Sequence, residues 1–288
     1  MKKIGMVGIG MMGHGIASNI VKREYGLGLF EHPGNQPLET LKAAGAASFN
    51  NLPQLAAYAD VIILVLTGSA QVEAVLTGTG GLLESLRPGT VVIDCSTSMP
   101  ATTVRMAQAV QTAGGRFLDV PMTRTPKEAA EGRLNLLVGG DAALLEECRP
   151  LLQSFAENIT HVGPVGAGHS MKLLHNYVSL GMVTLLSEAA ACGRRSGVSS
   201  EAFVDVLAKG GGGGVALERL KPFLLAGDTS GLRFSIANAR KDLDYYNIMA
   251  EDVGAHKTVA AAVLSTLETA FASAPEALVP ELPAILGE

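Results

Sequence analysis

Three glycines stand at G-x-G-x-x-G spacing in Gly8-Ile9-Gly10-Met11-Met12-Gly13, directly after the β-rich run Lys3–Gly8 and ahead of a helical stretch. The first glycine of such a loop permits a tight turn, the second lets backbone approach a pyrophosphate, and the third allows close helix–strand packing. The helix that follows points its unpaired amides at the phosphates. The chemistry predicted is binding of a dinucleotide. Glu31 closes the next β-rich run, 18 residues beyond Gly13. A carboxylate there accepts hydrogen bonds from ribose hydroxyls and repels a 2′-phosphate, which predicts NAD(H) rather than NADP(H). A protonated His32 beside it would favour phosphate, but the acid should dominate.

Those residues need a sheet to hold them. Short β-rich runs recur at Lys3–Gly8, Gly26–Phe30, Val61–Leu66, Thr90–Asp94, Arg116–Val120, Leu134–Gly139 and Asn158–Val162, with helix-length segments between most of them. Runs as apolar as Val61–Leu66 mark strands buried on both faces of a parallel sheet. Pro100–Ala113 carries proline at a first helical position and ends before Gly114-Gly115. The β-α-β order predicts an α/β fold, a Rossmann-type doubly wound, mostly parallel sheet, over residues 1–163. The character changes near Gly163-Pro164-Val165-Gly166, and residues 164–288 read as a smaller all-α domain. One helix runs from near Gly166 to Ser196, about 45 Å at the ~1.5 Å rise per residue. Ser199 or Ser200 caps the next helix, Gly210–Gly214 is a loop, and helices follow at Val215–Leu225, Ser235–Asp252 and Lys257–Ala272.

The 288 residues, 48% apolar and 17% charged, can bury a sizeable core and exclude a disordered tract. A net charge of −5 argues against a nucleic-acid surface. Cys95, Cys148 and Cys192 have no paired spacing, so a reducing, cytoplasmic setting is expected, with no disulfide framework. The histidines show no metal-ligand spacing, and no metal is expected. Met1-Lys2-Lys3 and the apolar Ile4–Met12 mimic a secretory leader, but glycines at 5, 8, 10 and 13 suit a strand and phosphate loop better. The apolar run Leu173–Gly193 is broken by His175, Asn176 and Glu188 and reads as a buried helix, not a membrane span.

Four ordered segments resemble the β-hydroxyacid dehydrogenase family, typified by 3-hydroxyisobutyrate dehydrogenase and tartronate semialdehyde reductase, within the 6-phosphogluconate dehydrogenase superfamily. They are Gly8–Asn19, Asp119–Gly140, Gly166–Tyr177 and Lys241-Asp242-Leu243. The resemblance implies an NAD(H)-dependent oxidoreductase interconverting a small 3-hydroxy acid and its semialdehyde, with its active site between the two domains. It implies that Lys172 is catalytic. Reducing a carbonyl creates an alkoxide that needs a proton and a nearby positive charge, and an ammonium supplies both. Asn176 and Ser179, four and seven residues on, share one helix face with Lys172, and His175 can line the same cavity from its edge. Cofactor contacts implied beyond the glycines come from Met11, Met12, Leu66 at the end of the run Val61–Leu66, Thr97 and Lys241.

The substrate segment departs from the family's usual Ser-Gly-Gly, carrying Thr123-Arg124-Thr125 instead. Thr123 can donate a hydroxyl hydrogen bond to an acid group. The Arg124 guanidinium presents a fork of donors to carboxylate, sulfonate or phosphate. Family sulfolactaldehyde reductases look similar here, so a C3 hydroxy-sulfonate is the favoured substrate, with 3-hydroxyisobutyrate or tartronate semialdehyde as alternatives. An imine reductase shares the fold but is disfavoured by Lys172, and the retained Lys172, Asn176 and Lys241 argue against a non-catalytic cofactor-binding module. A homodimer or homotetramer is expected by resemblance.

Overall fold

The computed structural model describes residues 2–23 and 25–287; Met1, which opens the basic start, and Glu288, which ends the tail, lie outside them. The chain forms two compact units, Met1–Lys172 and Leu173–Glu288.

The first unit is built on one sheet. Its strands are β1 (Lys3–Val7), β2 (Gly26–Phe30), β3 (Ala47–Phe49), β4 (Val61–Leu64), β5 (Val91–Asp94), β6 (Arg116–Asp119), β7 (Met122–Thr123), β8 (Leu134–Gly140) and β9 (Ala156–Gly163). They lie in the order β3-β2-β1-β4-β5-β6-β8-β7, with β9 on β8. The first six are mutually parallel; β8 runs antiparallel to β6 and β7 and parallel to β9. This is the doubly wound arrangement expected, and its strand order reverses between β1 and β4, where ligands bind such sheets. Successive residues feed opposite faces: Val61 and Ile63 enter one core, Ile62 and Leu64 the other. Both faces are covered, which is why these strands read as unbroken apolar runs.

Three details differ from the sequence reading. β4 ends at Leu64, not Leu66, because the Leu66 amide is taken by Ser96 Oγ at 3.0 Å instead of a strand carbonyl. β3 and β7, three and two residues long, escaped notice because so short a segment shows no period. The last run lengthens to Ala156–Gly163. Around the sheet lie α1 (Met11–Val21), α2 (Glu39–Ala43), α3 (Leu52–Tyr58), α4 (Ser69–Thr77), α5 (Pro100–Thr112), α6 (Pro126–Glu131) and α7 (Ala142–Leu152).

Helix α8 (Ala167–Arg195) starts in the first unit and continues through the second. The second unit adds α9 (Ser200–Ala208), α10 (Val215–Ala226), α11 (Ile236–Asp252), α12 (Thr258–Ser273) and the short α13 (Leu282–Ile285). Ser199 caps α9 by accepting the Ala202 amide. Apolar faces meet in a core that includes Leu180, Val183, Leu217, Ile236, Leu243 and Leu267. The proline-containing tail belongs to this core: Val279 and Leu282 are fully buried in it, and the Val279 amide bonds the Phe234 carbonyl at 2.8 Å. Among the described residues no helix is long and apolar enough to cross a membrane.

Candidate active site

The glycine loop follows β1 and opens α1 without a side-chain cap, so the first amides of α1 are available to an anion. Gly8 sits at φ +92°, and a Cβ at Gly13 would lie 2.0 Å from the Gly8 carbonyl oxygen. Among the described residues, nothing lies within 4 Å of the place a Cβ would take at Gly10. Loop and helix therefore touch through two glycines, while the middle one leaves open space beside backbone. That shape suits the pyrophosphate of a dinucleotide. Asn35 holds the loop by accepting the Ile9 amide at 3.2 Å. Met11 is exposed, whereas Met12 packs partly into the core.

Glu31 lies one residue beyond β2. A cation also stands there that the sequence reading did not place: Lys42 of α2 pairs with the Glu31 carboxylate. Its hydrogen bond, with one from Ser48, holds the Glu31 carboxyl below the usual carboxylate range.

Past β5, Ser96 ties two strand ends together. Its hydroxyl accepts the Leu66 amide and its own amide bonds Asp94 at 2.9 Å, with half-buried Thr97 next in the chain. The Leu66 side chain packs against the core.

Thr123, on β7, is buried, and its hydroxyl oxygen accepts from Asn135 Nδ2 at 3.2 Å; the hydroxyl hydrogen remains to donate. Arg124 follows at φ +81°, and among the described residues it is the one non-glycine residue with positive φ. The glycine the family usually carries there suits this backbone. The Arg124 guanidinium is not an open fork: one terminal nitrogen donates to the Glu157 carboxylate and the Arg133 carbonyl. Its hydrogen bond, and then its charge, hold the Glu157 carboxyl below the usual range. β9 brings this carboxylate, 33 residues away in sequence, onto the guanidinium.

In the second unit α8 and α11 carry four of the residues singled out. Asn176 is buried and donates from Nδ2 to Asp242 at 2.6 Å, while Lys241 Nζ bonds the other Asp242 oxygen at 2.7 Å. Lys241 also lies 4.8 Å from the centre of the Tyr245 ring. His175 Nδ1 lies 3.0 Å from Asn176 Oδ1, and the Ser179 hydroxyl donates to the Asn176 carbonyl at 3.4 Å. Asp242 is the organising acid here, buried and bonded to both Asn176 and Lys241. Its place directly after Lys241 in the fourth motif was the signal.

A second group escaped the sequence reading. Asp94, Asp119 and His169 are buried together beneath the start of α8. Asp119 accepts the Gly166 amide just ahead of α8 and the His169 amide in its first turn, at 2.9 and 3.0 Å. The His169 ring lies 3.9 Å from Asp119 and 4.0 Å from Asp94. Burial pushes the Asp94 carboxyl up, while His169 and Ser96 pull it back.

Residues 3–163 match the NAD binding domain of 6-phosphogluconate dehydrogenase, and residues 166–277 match the NAD-binding domain of NADP-dependent 3-hydroxyisobutyrate dehydrogenase. The NAD-dependent L-serine dehydrogenase of Pseudomonas aeruginosa is 34% identical over 223 residues, 77% of this chain and 74% of that protein. The 3-sulfolactaldehyde reductase of Escherichia coli is 34% identical over 190 residues, 66% of this chain and 63% of that one. The Mycobacterium tuberculosis 3-hydroxyisobutyrate dehydrogenase structure with L-serine superimposes with a TM-score of 0.88 at 26% identity, covering 100% of both chains. Fold and glycine loop define an NAD-dependent oxidoreductase. The chain belongs to the β-hydroxyacid dehydrogenase family, which includes the 3-hydroxyisobutyrate dehydrogenases.

Proposed function

We propose that the enzyme interconverts a small 3-hydroxy acid and its semialdehyde, with Lys172 as the general acid and base. The observation that carries this reading is α8 itself: an unbroken helix aligns Lys172, Asn176 and Ser179 on one face, with Asn176 fixed by Asp242. The nicotinamide cofactor, when bound, supplies or accepts the hydride. Gly8, Gly10, Gly13 and the α1 amides hold its pyrophosphate, Met11 and Met12 flank it, Glu31 takes the ribose hydroxyls, and Leu66, Thr97 and Lys241 are further contacts in this reading. Lys172 gives a proton to the nascent alkoxide, or takes one from the alcohol. Thr123, Asn176, Ser179 and His175 receive the substrate's polar groups.

Arg124 sets which acid is accepted. A left-handed backbone costs a non-glycine residue roughly 1–2 kcal/mol, and an exposed ion pair such as Arg124–Glu157 offsets little of it. Stability does not explain an arginine at this position. With one terminal nitrogen engaged, the remaining N–H groups can meet a sulfonate, whose three oxygens exceed a carboxylate's two. The substrate favoured is therefore a C3 hydroxy-sulfonate and its aldehyde, over 3-hydroxyisobutyrate. Arg124→Gly is expected to raise KM for the sulfonate about ten- to hundredfold, as for a charge-assisted hydrogen bond, with thermal stability no lower than the parent's. Kinetics of both proteins on sulfonate and carboxylate substrates, with melting curves, check this. If the variant handles every acid as well as the parent does, Arg124 has no part in substrate choice.

Glu31 leads us to expect NADH in preference to NADPH. Because Lys42 partly neutralises it, the preference in kcat/KM should be about tenfold rather than absolute. Glu31→Gln should narrow it, and preferential use of NADPH by the parent would remove the ribose role of Glu31. The exposed stripe Leu174, Val178, Met182 and Leu185 on α8, with Val259 on α12, suits a homo-oligomer, and the unpaired thiols suit a reducing, cytoplasmic compartment.

A further inference from the structure

We propose that His169 is a positioning residue for Lys172, anchoring the first turn of α8 to the carboxyl ends of β5 and β6. The ring is fully buried, and both of its nitrogens are engaged. Nε2 lies 3.1 Å from the Ser96 carbonyl, which can only accept, so this nitrogen carries a hydrogen and donates it. Nδ1 lies 2.7 Å from the Thr103 hydroxyl, which also bonds the Met99 carbonyl at 3.1 Å. The His169 amide is held by Asp119 of β6. One residue therefore ties together β5, β6, α5 and the start of α8.

The anchor is tight. A Cβ at Gly168 would lie 2.6 Å from the Leu137 carbonyl oxygen and 2.7 Å from that of Asp119, so the helix start rests directly on the sheet. Lys172 comes three residues after His169, almost one turn along the same helix. Ser96 also takes the Leu66 amide and precedes Thr97, so the strand ends proposed to face the cofactor and the turn before Lys172 share one reference point. Burying two carboxylates and an imidazole is an expensive way to fill space, since apolar side chains of similar volume commonly stabilise as well or better. What the polar cluster adds is a fixed direction and register for α8. Displacing a reacting group by about 1 Å can lower a rate about a hundredfold.

The inference rests on the acid–base role of Lys172, which Lys172→Ala tests by itself. His169→Leu keeps the volume and removes both ring bonds; His169→Gln restores a donor toward the Ser96 carbonyl. For His169→Leu, kcat should fall about ten- to hundredfold while the Kd for NADH, read by cofactor fluorescence, stays within about twofold. The primary deuterium isotope effect on kcat should rise, and His169→Gln should recover most of the rate. Thr103→Val removes only the Nδ1 partner and should lower kcat a few-fold with unchanged Kd, which keeps the test available if the leucine variant does not fold. Unchanged kcat in His169→Leu or Thr103→Val would overturn the proposal. So would a loss of rate that merely follows the folded fraction and that His169→Gln does not repair.

Discussion

Lys172→Ala is expected to lower kcat by about two to four orders of magnitude, the range for loss of a general acid–base group, and to leave NADH affinity nearly unchanged. The glycine loop and α1, which hold the pyrophosphate in the proposed reading, lie far from Lys172 in sequence and do not depend on its charge. Truncation at a half-buried helix position leaves a good helix former in place, so the fold should survive. The substrate's acid group has its own proposed partners, Thr123 and Arg124, so KM should change less than kcat. Steady-state kinetics with a cofactor titration separate these effects. Most of the activity surviving in the folded variant would show that the proton moves through another group.

Gly13→Ala should act on the other half of the reaction. The added methyl would stand 2.0 Å from the Gly8 carbonyl oxygen, a backbone atom that cannot rotate away. Either the loop or α1 must shift, and overpacking of this kind typically costs 1–3 kcal/mol or more. Because the shift falls where α1 amides should meet phosphate, NADH affinity should drop about a hundredfold or more, equivalent to roughly 3 kcal/mol. Cofactor fluorescence and a melting curve read the two consequences. Gly10→Ala supplies the contrast: among the described residues nothing meets its Cβ, so stability should hold while cofactor binding suffers. Parent-like NADH binding by Gly13→Ala would mean that the cofactor does not use this loop.

The parts legible in the sequence were those that local periodicity encodes. The apolar strands, the glycine loop and the long helix α8 each announce themselves within about a dozen residues, and their predicted positions agree with the fold to within a few residues. Contacts between distant segments did not announce themselves. Glu157 meets Arg124 only because β9 pairs with β8, and Asp242 meets Asn176 across 66 residues of chain. Asp94 and Asp119 did leave a trace: each ends a strand otherwise buried on both faces, where an acid must find a partner. That their shared partner is His169 follows from the start of α8 lying on the sheet, which no local pattern states.

The proposed reaction is hydride exchange between NAD(H) and the aldehyde carbon of a small acid. Turnover of NADH deuterated at both C4 positions, with a panel of C3 and C4 semialdehydes bearing carboxylate or sulfonate and followed by mass analysis, is the direct test. The expected result is one deuterium on the new carbinol carbon, with the sulfonate giving the highest kcat/KM and Lys172→Ala giving almost no product. Oxidation of NADH without deuterium in any hydroxy acid, or with no acid turned over, would contradict it.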